Sequence, residues 1–158
     1  MSKTMNSSAK GGECLAVATP YLSIKDAASA IEFYQQAFGA VETMRLRTPD
    51  GKIVHAQIKI GQALVMMADA DGKYHFDPQA LGGSSVSIHL YVEDVDAFVS
   101  RAVAVGAKVV IPVNDQFYGD RTGRLVDPFG HVWIISTHKE DVSPEEMQKR
   151  FAALSNNP

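Results

Sequence analysis

Hydrophobic and polar residues alternate along two separate stretches of the chain, and a helical pattern follows each of them. The first alternation covers residues 15–24, and a stripe of apolar residues spaced by three and four then runs to Gly39. The second begins at Ser85, and its helical stripe ends at Gly106. A period of two predicts a strand with one buried face, whereas spacings of three and four predict a helix that buries one side. The chain is therefore predicted to contain two strand-turn-helix units.

The two units align at a nearly constant offset, which indicates an internal repeat. Asp26 and Asp94, each predicted to cap its helix, lie 68 positions apart, and Gly61 and Gly130 lie 69 apart. Each helix is followed by three predicted strands, at residues 41–47, 53–60 and 63–68 in the first unit and 109–113, 124–127 and 131–138 in the second. The fold class is therefore predicted to be α+β, built from two βαβββ modules.

The remaining segments set the predicted domain organisation. Ser143 and Pro144 form a strong helix start, since serine caps well and proline is favoured at the first helical position. The prediction is a disordered tail (1–14), a single domain (15–142) made of module one (15–69), a linker loop (70–84) and module two (85–142), and a C-terminal helix (143–154).

Composition and charge narrow the function classes. The chain has 158 residues, of which 46% are hydrophobic, and a formal net charge of −3. This balance gives no electrostatic reason to expect nucleic acid or an anionic membrane as a partner. No apolar run approaches the roughly 18 residues of a membrane span. Because Cys14 is the single cysteine, no internal disulfide can form, and a reducing cytoplasmic location is expected.

Several motifs add a family resemblance to this pattern. They are Pro20-Tyr21-Leu22, AIEFY at 30–34, AFGA at 37–40, HLYVEDVD at 89–96, DQFYGDR at 115–121, DPFGHVW at 127–133 and SPEEM at 143–147. Together with the doubled βαβββ unit, they resemble the PhnB-like branch of the vicinal oxygen chelate superfamily. That superfamily includes glyoxalase I, bleomycin resistance proteins and extradiol dioxygenases. The resemblance implies two half-barrels around a cavity, a small-molecule ligand and a homodimer.

The resemblance also implies which side chains point into the cavity. In the family each helix covers the convex side of its sheet, so the polar side of each strand points inward. For this chain the implied cavity residues are Thr19, Tyr21 and Ser23, then His55, Gln57 and Lys59, then Ser87, His89 and Tyr91.

Metal-dependent members of the superfamily use four ligands, and the family pattern places these positions on Thr19, Val65, Ser87 and Ile134. Two of these side chains have no donor atom, and neutral hydroxyls are poor ligands for a transition metal. No cofactor is therefore predicted at the usual metal site. A displaced zinc or iron site, held by His89 and His55 with Asp120 as the candidate third ligand, is the alternative.

Without a metal, the implied cavity offers hydrogen bonding, stacking and proton transfer. His55 and His89 come from different modules and are candidate acid or base groups, since histidine titrates near neutral pH. Candidate ligand-binding residues are Tyr21, Gln57, Tyr91, Phe117, Tyr118 and Arg121, of which Arg121 could grip an anion.

Two classes of function follow, and the sequence leaves open whether the protein is an enzyme. The first is a bleomycin-resistance-like protein that binds a small organic molecule without chemistry. The second is an enzyme of the superfamily. It would be either a metal-independent lyase or isomerase that uses His55 or His89, or a metal-dependent lyase or dioxygenase at the displaced site.

Overall fold

The computed structural model describes residues 17–155, which form eight strands and four helices. The predicted tail at 1–14 and the start of the predicted first strand lie outside the described residues. The elements are β1 (Tyr21–Ile24), α1 (Ala27–Phe38), β2 (Val41–Arg47), β3 (Ile53–Ile60), β4 (Ala63–Asp69), α2 (Pro78–Leu81), β5 (Ser87–Tyr91), α3 (Val95–Ala104), β6 (Lys108–Asp115), β7 (Asp120–Val126), β8 (Val132–His138) and α4 (Pro144–Ser155).

The strands form two four-stranded sheets of identical topology. The first has the order β1-β4-β3-β2, and the second has the order β5-β8-β7-β6. In each sheet the first strand pairs in parallel with the fourth, and the other neighbours are antiparallel. The predicted α+β fold of two βαβββ modules, with a helix at the C-terminus, is therefore confirmed.

The helices begin where the sequence predicts. Asp26 accepts from the backbone N–H of Ser29 at 3.1 Å, and Asp94 accepts from that of Ala97 at 3.0 Å, so each carboxylate caps its helix. Ser143 Oγ caps α4 by accepting from the N–H of Glu146 at 3.2 Å. None of the helices within residues 17–155 is both long enough and apolar enough to cross a membrane.

Both modules share one hydrophobic core, built from α1, α3 and the helix-facing side of each sheet. The rings of Phe38 and Phe98 stack at 5.2 Å, and the Nε–H of Arg101 donates to the carbonyl of Ala37 at 2.8 Å, which joins the two helices. Trp133 is fully buried, as its shared parity with Ile135 predicts. Because the helix-facing sides meet in one core, the opposite side of each sheet faces away from it.

Asp127 joins the second module to α1 inside this core. Its Oδ2 accepts from Tyr34 Oη at 2.6 Å and from Trp133 Nε1 at 2.8 Å, and its Oδ1 accepts from the N–H groups of Phe129 and His131 at 2.9 and 3.0 Å. Burial, reinforced by the Asp127 carboxylate, raises the pKa of Tyr34 well above its ordinary value, so this hydroxyl stays a donor. The carboxylate thus satisfies four donors from both modules.

Several predicted boundaries are wrong. Strand β1 begins at Tyr21, whereas the predicted strand already covers residues 17–20, and β6 spans Lys108–Asp115 rather than 109–113. The linker contains the short helix α2, which begins because Asp77 caps it by accepting from the N–H of Ala80 at 3.2 Å. Strand β7 begins at Asp120 rather than at Arg124. The first half of β7 has no apolar alternation, because Asp120 and Thr122 hydrogen-bond to other polar groups instead of packing in the core.

Candidate functional site

The open side of the second sheet carries most of its polar side chains, and we call it the second polar face. Strand alternation places every second residue of β5, β7 and β8 on this side, while Leu90, Leu125 and Ile135 point into the core. Its members are Ser87, His89 and Tyr91 from β5, Asp120, Thr122 and Arg124 from β7, and Ile134, Ser136 and His138 from β8.

A chain of hydrogen bonds anchors His89 on this face. Nε2 of His89 lies 2.7 Å from Ser136 Oγ, which in turn lies 2.8 Å from Thr122 Oγ1. Ser136 and Thr122 are buried, whereas His89 is exposed. The rings of His89 and Tyr91 stack at 4.7 Å. Two exposed rings are therefore held in fixed orientations by polar groups beneath them.

Asp120 anchors the other end of the second polar face. Its Oδ2 accepts from Tyr91 Oη at 2.7 Å, and its Oδ1 lies 2.8 Å from Nδ1 of His138. The side chain of Asp120 is only 7% exposed, so these two partners compensate the burial of its charge. The hydrogen bond to Asp120 raises the pKa of Tyr91. The sequence analysis did not assign His138 to the site.

His138 lies between two carboxylates, which predicts a measurable pH dependence. Its Nε2 is 2.9 Å from Asp141, and the hydrogen bond to Asp120, followed by that to Asp141, raises the pKa of His138 above 6.5. Since the folded-state pKa is raised, the interaction stabilises the fold fully below pH 6.5 and is lost as the pH rises through the folded value. An NMR titration of the His138 ring should therefore give a midpoint above 6.5.

Two variants check the cause of this shift. Asp120→Asn is expected to lower the His138 midpoint more than Asp141→Asn does, because Asp120 makes the larger contribution. A midpoint at or below 6.5 in the unaltered protein would contradict the ion pairs.

The open side of the first sheet carries a smaller polar cluster, the first polar face, which contains Tyr21, His55 and Gln57. Tyr21 Oη lies 3.2 Å from Nδ1 of His55, and Nε2 of His55 lies 3.1 Å from the side-chain nitrogen of Gln57. The ring of Tyr21 also stacks on His75 at 6.1 Å. Both ring nitrogens of His55 thus have protein partners.

The structure does not bring His55 and His89 together within one chain. They lie on different sheets, whose helix-facing sides share the core, and no hydrogen bond among residues 17–155 joins the two polar faces. The same residues contain no group of three His, Cys, Asp or Glu side chains suited to a metal. The predicted displaced site with Asp120 is therefore not formed within the described part of one chain.

The four positions that carry the ligands in metal-dependent family members hold no suitable metal ligands in this chain. The assignment of Val65 is wrong, because this side chain is 1% exposed in the core, and Met66, which pairs with Tyr21, lies on the open side instead. A slip of one residue moves a strand side chain to the opposite face. Even with Met66, the set lacks any imidazole or carboxylate, as its other members are Thr19, Ser87 and Ile134.

Arg121, predicted to bind an anionic ligand group, already pairs with two carboxylates of the protein. The guanidinium of Arg121 donates to Asp96 at 2.7 Å and to Asp115 at 3.1 Å, on the side of β7 that faces α3. On the second polar face the arginine is Arg124, three residues further along the same strand. Carrying the alternation of β7 back to Asp120 would have identified Arg124 from the sequence.

The two predicted aromatic residues lie in the turn between β6 and β7. Phe117 packs on Phe151 of α4 at 5.4 Å, and Tyr118 lies edge-on to Phe117 at 5.1 Å. Phe117 therefore packs against the C-terminal helix, and its role as a ligand-binding residue stays a prediction.

Two cavities lie at the seams between the modules, and each reaches one member of a polar face, Tyr91 in the first cavity and Tyr21 in the second. One of about 510 Å³ is lined by Phe38, Phe98 and Arg101 among others, and one of about 400 Å³ is lined by Tyr21 and His131 among others. Neither is lined by His55 or His89. In a single chain the polar faces are therefore open surfaces.

Comparisons with known proteins agree with this fold. The model of the Glyoxalase/Bleomycin resistance protein/Dioxygenase superfamily matches residues 16–135. The chain is 45% identical to the uncharacterized protein Rv0887c of Mycobacterium tuberculosis over an alignment of 141 residues. This alignment covers 87% of this chain and 81% of that protein. The crystal structure of TioX from Micromonospora sp. ML1 superposes with a TM-score of 0.62 and 26% identity, covering 81% of this chain and 100% of TioX.

A more distant structure shares the fold alone. The PhnB protein from Bacillus cereus superposes with a TM-score of 0.60 and 19% identity, covering 76% of this chain and 98% of that one. The predicted family resemblance is therefore confirmed at the level of the superfamily. The protein belongs to the glyoxalase/bleomycin resistance protein/dioxygenase superfamily.

Proposed function

We propose that the protein binds a small organic molecule on its second polar face, without the usual metal quartet of the superfamily. The observation that carries this proposal is the anchored pair of rings, His89 and Tyr91, which present polar and aromatic surface above buried hydrogen-bond partners. Tyr91 is 62% exposed even though its hydroxyl is fixed by Asp120. Groups fixed before binding lose less conformational entropy on binding, which favours a recognition role.

A second copy of the chain is the proposed cover for this open face. The outer strands leave large apolar side chains exposed near both polar faces, including Val41 and Leu46 in β2 and Ile111 in β6. We propose a homodimer in which the first polar face of one chain lies opposite the second polar face of its partner. A ligand between them would contact His89 of one chain and be enclosed on both sides, as small-molecule sites require.

A metal-independent lyase or isomerase is the second candidate, and one observation favours it. Among the described residues, His89 uses one ring nitrogen for Ser136, and its Nδ1 makes no hydrogen bond. That nitrogen is available to take a proton from a bound substrate. His55 suits the role less, because Tyr21 and Gln57 occupy both of its ring nitrogens.

A matched set of aromatic probes tests the proposal. 2-Naphthoate, 2-naphthamide and 2-naphthylmethylamine share one ring system and differ in charge at neutral pH. We expect saturable binding of at least one probe by fluorescence titration, and a loss of up to about tenfold in affinity in His89→Ala, since an aromatic ring contact is worth about 0.5–1.5 kcal/mol. Light scattering on the same sample should give twice the chain mass of 17.1 kDa.

One control variant makes this test decisive. Tyr74→Ala removes an exposed aromatic ring that contacts neither polar face among the described residues, and it should leave probe affinity within twofold. If no probe binds, or if His89→Ala binds as well as the unaltered protein, the proposed site is wrong. Conversion of a bound compound that disappears in His89→Ala would instead favour the lyase or isomerase.

A further inference from the structure

We propose that the ligand class of the second polar face is an organic anion, a carboxylate or phosphonate attached to an apolar body, and that Arg124 binds its charged group. This inference rests on the proposed function of the same face. It assigns the anion to Arg124, a residue that neither the family resemblance nor the sequence motifs single out.

The register of the second sheet places Arg124 in one row with His89. Ile134 of the central strand β8 pairs with His89 on one side and with Arg124 on the other. Because neighbouring strands lie about 4.8 Å apart, the backbones of His89 and Arg124 are roughly 10 Å apart. All three side chains project from the same side of the sheet. The row therefore presents a cation, an apolar patch and an imidazole in sequence.

The guanidinium of Arg124 makes no hydrogen bond or ion pair within residues 17–155, although the residue is half-buried. Arg121 on the same strand differs, since it donates to both Asp96 and Asp115. The flanking residues of Arg124 across the sheet are Ile134 and Ile111, which offer it no acceptor side chain. The donors of this guanidinium are therefore available to an anionic ligand group, which can accept from two of them at once.

The other charged side chains of the second polar face do not compete with an anionic ligand for Arg124. Asp120 is four residues from Arg124 along β7, about 13 Å away, and its carboxylate is engaged by Tyr91 and His138. Lys108 pairs with Val126 at the opposite end and adds a second positive charge on the same side. The potential around Arg124 is therefore positive, which favours a negatively charged ligand group.

The row also indicates how such a ligand would lie. A planar carboxylate or a phosphonate matches the fork of N–H donors on Arg124, which can donate two parallel hydrogen bonds. The apolar body would then cover Ile134 and reach the exposed ring of His89. This ligand would use the anchored imidazole as a hydrogen-bond partner and would require no metal.

The test compares two arginines of β7 that lie on opposite sides of the strand. Arg124→Gln is expected to weaken 2-naphthoate binding by at least tenfold and to leave 2-naphthamide binding within twofold. Arg121→Gln removes the same charge from the helix-facing side and should leave both affinities within twofold. Raising the salt from 50 to 500 mM should weaken 2-naphthoate binding in the unaltered protein more than in Arg124→Gln, because screening acts on the charge pair.

The outcomes separate this inference from the proposed function. If 2-naphthamide binds in a manner that depends on His89, but 2-naphthoate binds no better and is indifferent to Arg124→Gln, the anion assignment is overturned while the binding site stands. If no probe binds, the proposed function itself fails. An equal loss of 2-naphthoate affinity in Arg121→Gln and Arg124→Gln would show a general charge effect and would also overturn the assignment.

Discussion

Replacing Asp127 by alanine is expected to lower the free energy of unfolding by about 4 kcal/mol. The change removes the common acceptor of four donors, and Tyr34 Oη and Trp133 Nε1 are left in the fully buried core without a partner. Each unsatisfied buried donor costs about 1–3 kcal/mol, while domains of this size are stable by only about 5–15 kcal/mol in total. Urea unfolding followed by the fluorescence of Trp133, the single tryptophan, measures the effect.

Two further variants show whether the loss comes from these hydrogen bonds. Tyr34→Phe removes one donor and keeps the carboxylate, so it should cost about 1 kcal/mol. Asp50→Ala removes an exposed carboxylate and should change stability by less than about 0.5 kcal/mol. A cost for Asp127→Ala no greater than that for Asp50→Ala would show that the carboxylate does not join the modules.

Gly119→Ala is expected to cost about 3 kcal/mol, the second largest effect. Gly119 has a φ of +98°, and an added Cβ would meet the backbone oxygen of Glu140 and lie 2.9 Å from Val142 Cγ2. The carbonyl of Gly119 also accepts from the N–H groups of Lys139 and Glu140, so the segment after β8 cannot move away freely. Because Asp120 follows directly, the displacement should also reach the hydrogen bond to Tyr91.

Gly51→Ala is the matched control for this prediction. Gly51 has a similar φ of +92°, but nothing lies within 4 Å of an added Cβ. Its substitution therefore measures backbone strain alone, about 1 kcal/mol. Urea unfolding of both variants checks the difference, and equal costs would mean that the contact with Glu140 is not rigid.

Features with local causes were predictable from the sequence. The caps Asp26 and Asp94 lie within three residues of the N–H groups that they bind, so the helix starts follow from short-range chemistry. The alternation of β5 likewise placed His89 and Tyr91 on the same side. The doubled topology followed because both copies carry these local signals at the same offset.

The wrong predictions concern features set by distant residues or by strand register. Tyr34 and Asp127 are 93 positions apart, and no local pattern links them. The assignment of Val65 was wrong by one residue, which reverses the direction of a strand side chain. The position of Arg124 on the second polar face depends on the register of β7, whose polar first half gives no apolar alternation in the sequence.

The arrangement of the two polar faces was the least predictable feature. A doubled sequence suggests that His55 and His89 share one cavity, but the structure joins the modules through α1, α3 and Asp127. This arrangement of the modules depends on the packing of Phe38 against Phe98 and on the buried donors that Asp127 accepts from both modules. The polar faces are open in each chain because α1 packs against α3, and the sequence repeat alone does not determine this packing.

The central claim is that the second polar face binds a small molecule through His89 and its anchored network, independently of a metal. Isothermal titration calorimetry of protein dialysed against EDTA, with 2-naphthoate or 2-naphthamide as the ligand, tests this claim most directly. We expect saturable binding of one molecule per chain, unchanged by added zinc or iron and weakened by up to about tenfold by His89→Ala. Binding that appears only after zinc or iron is restored, or that is unaffected by His89→Ala, would contradict it.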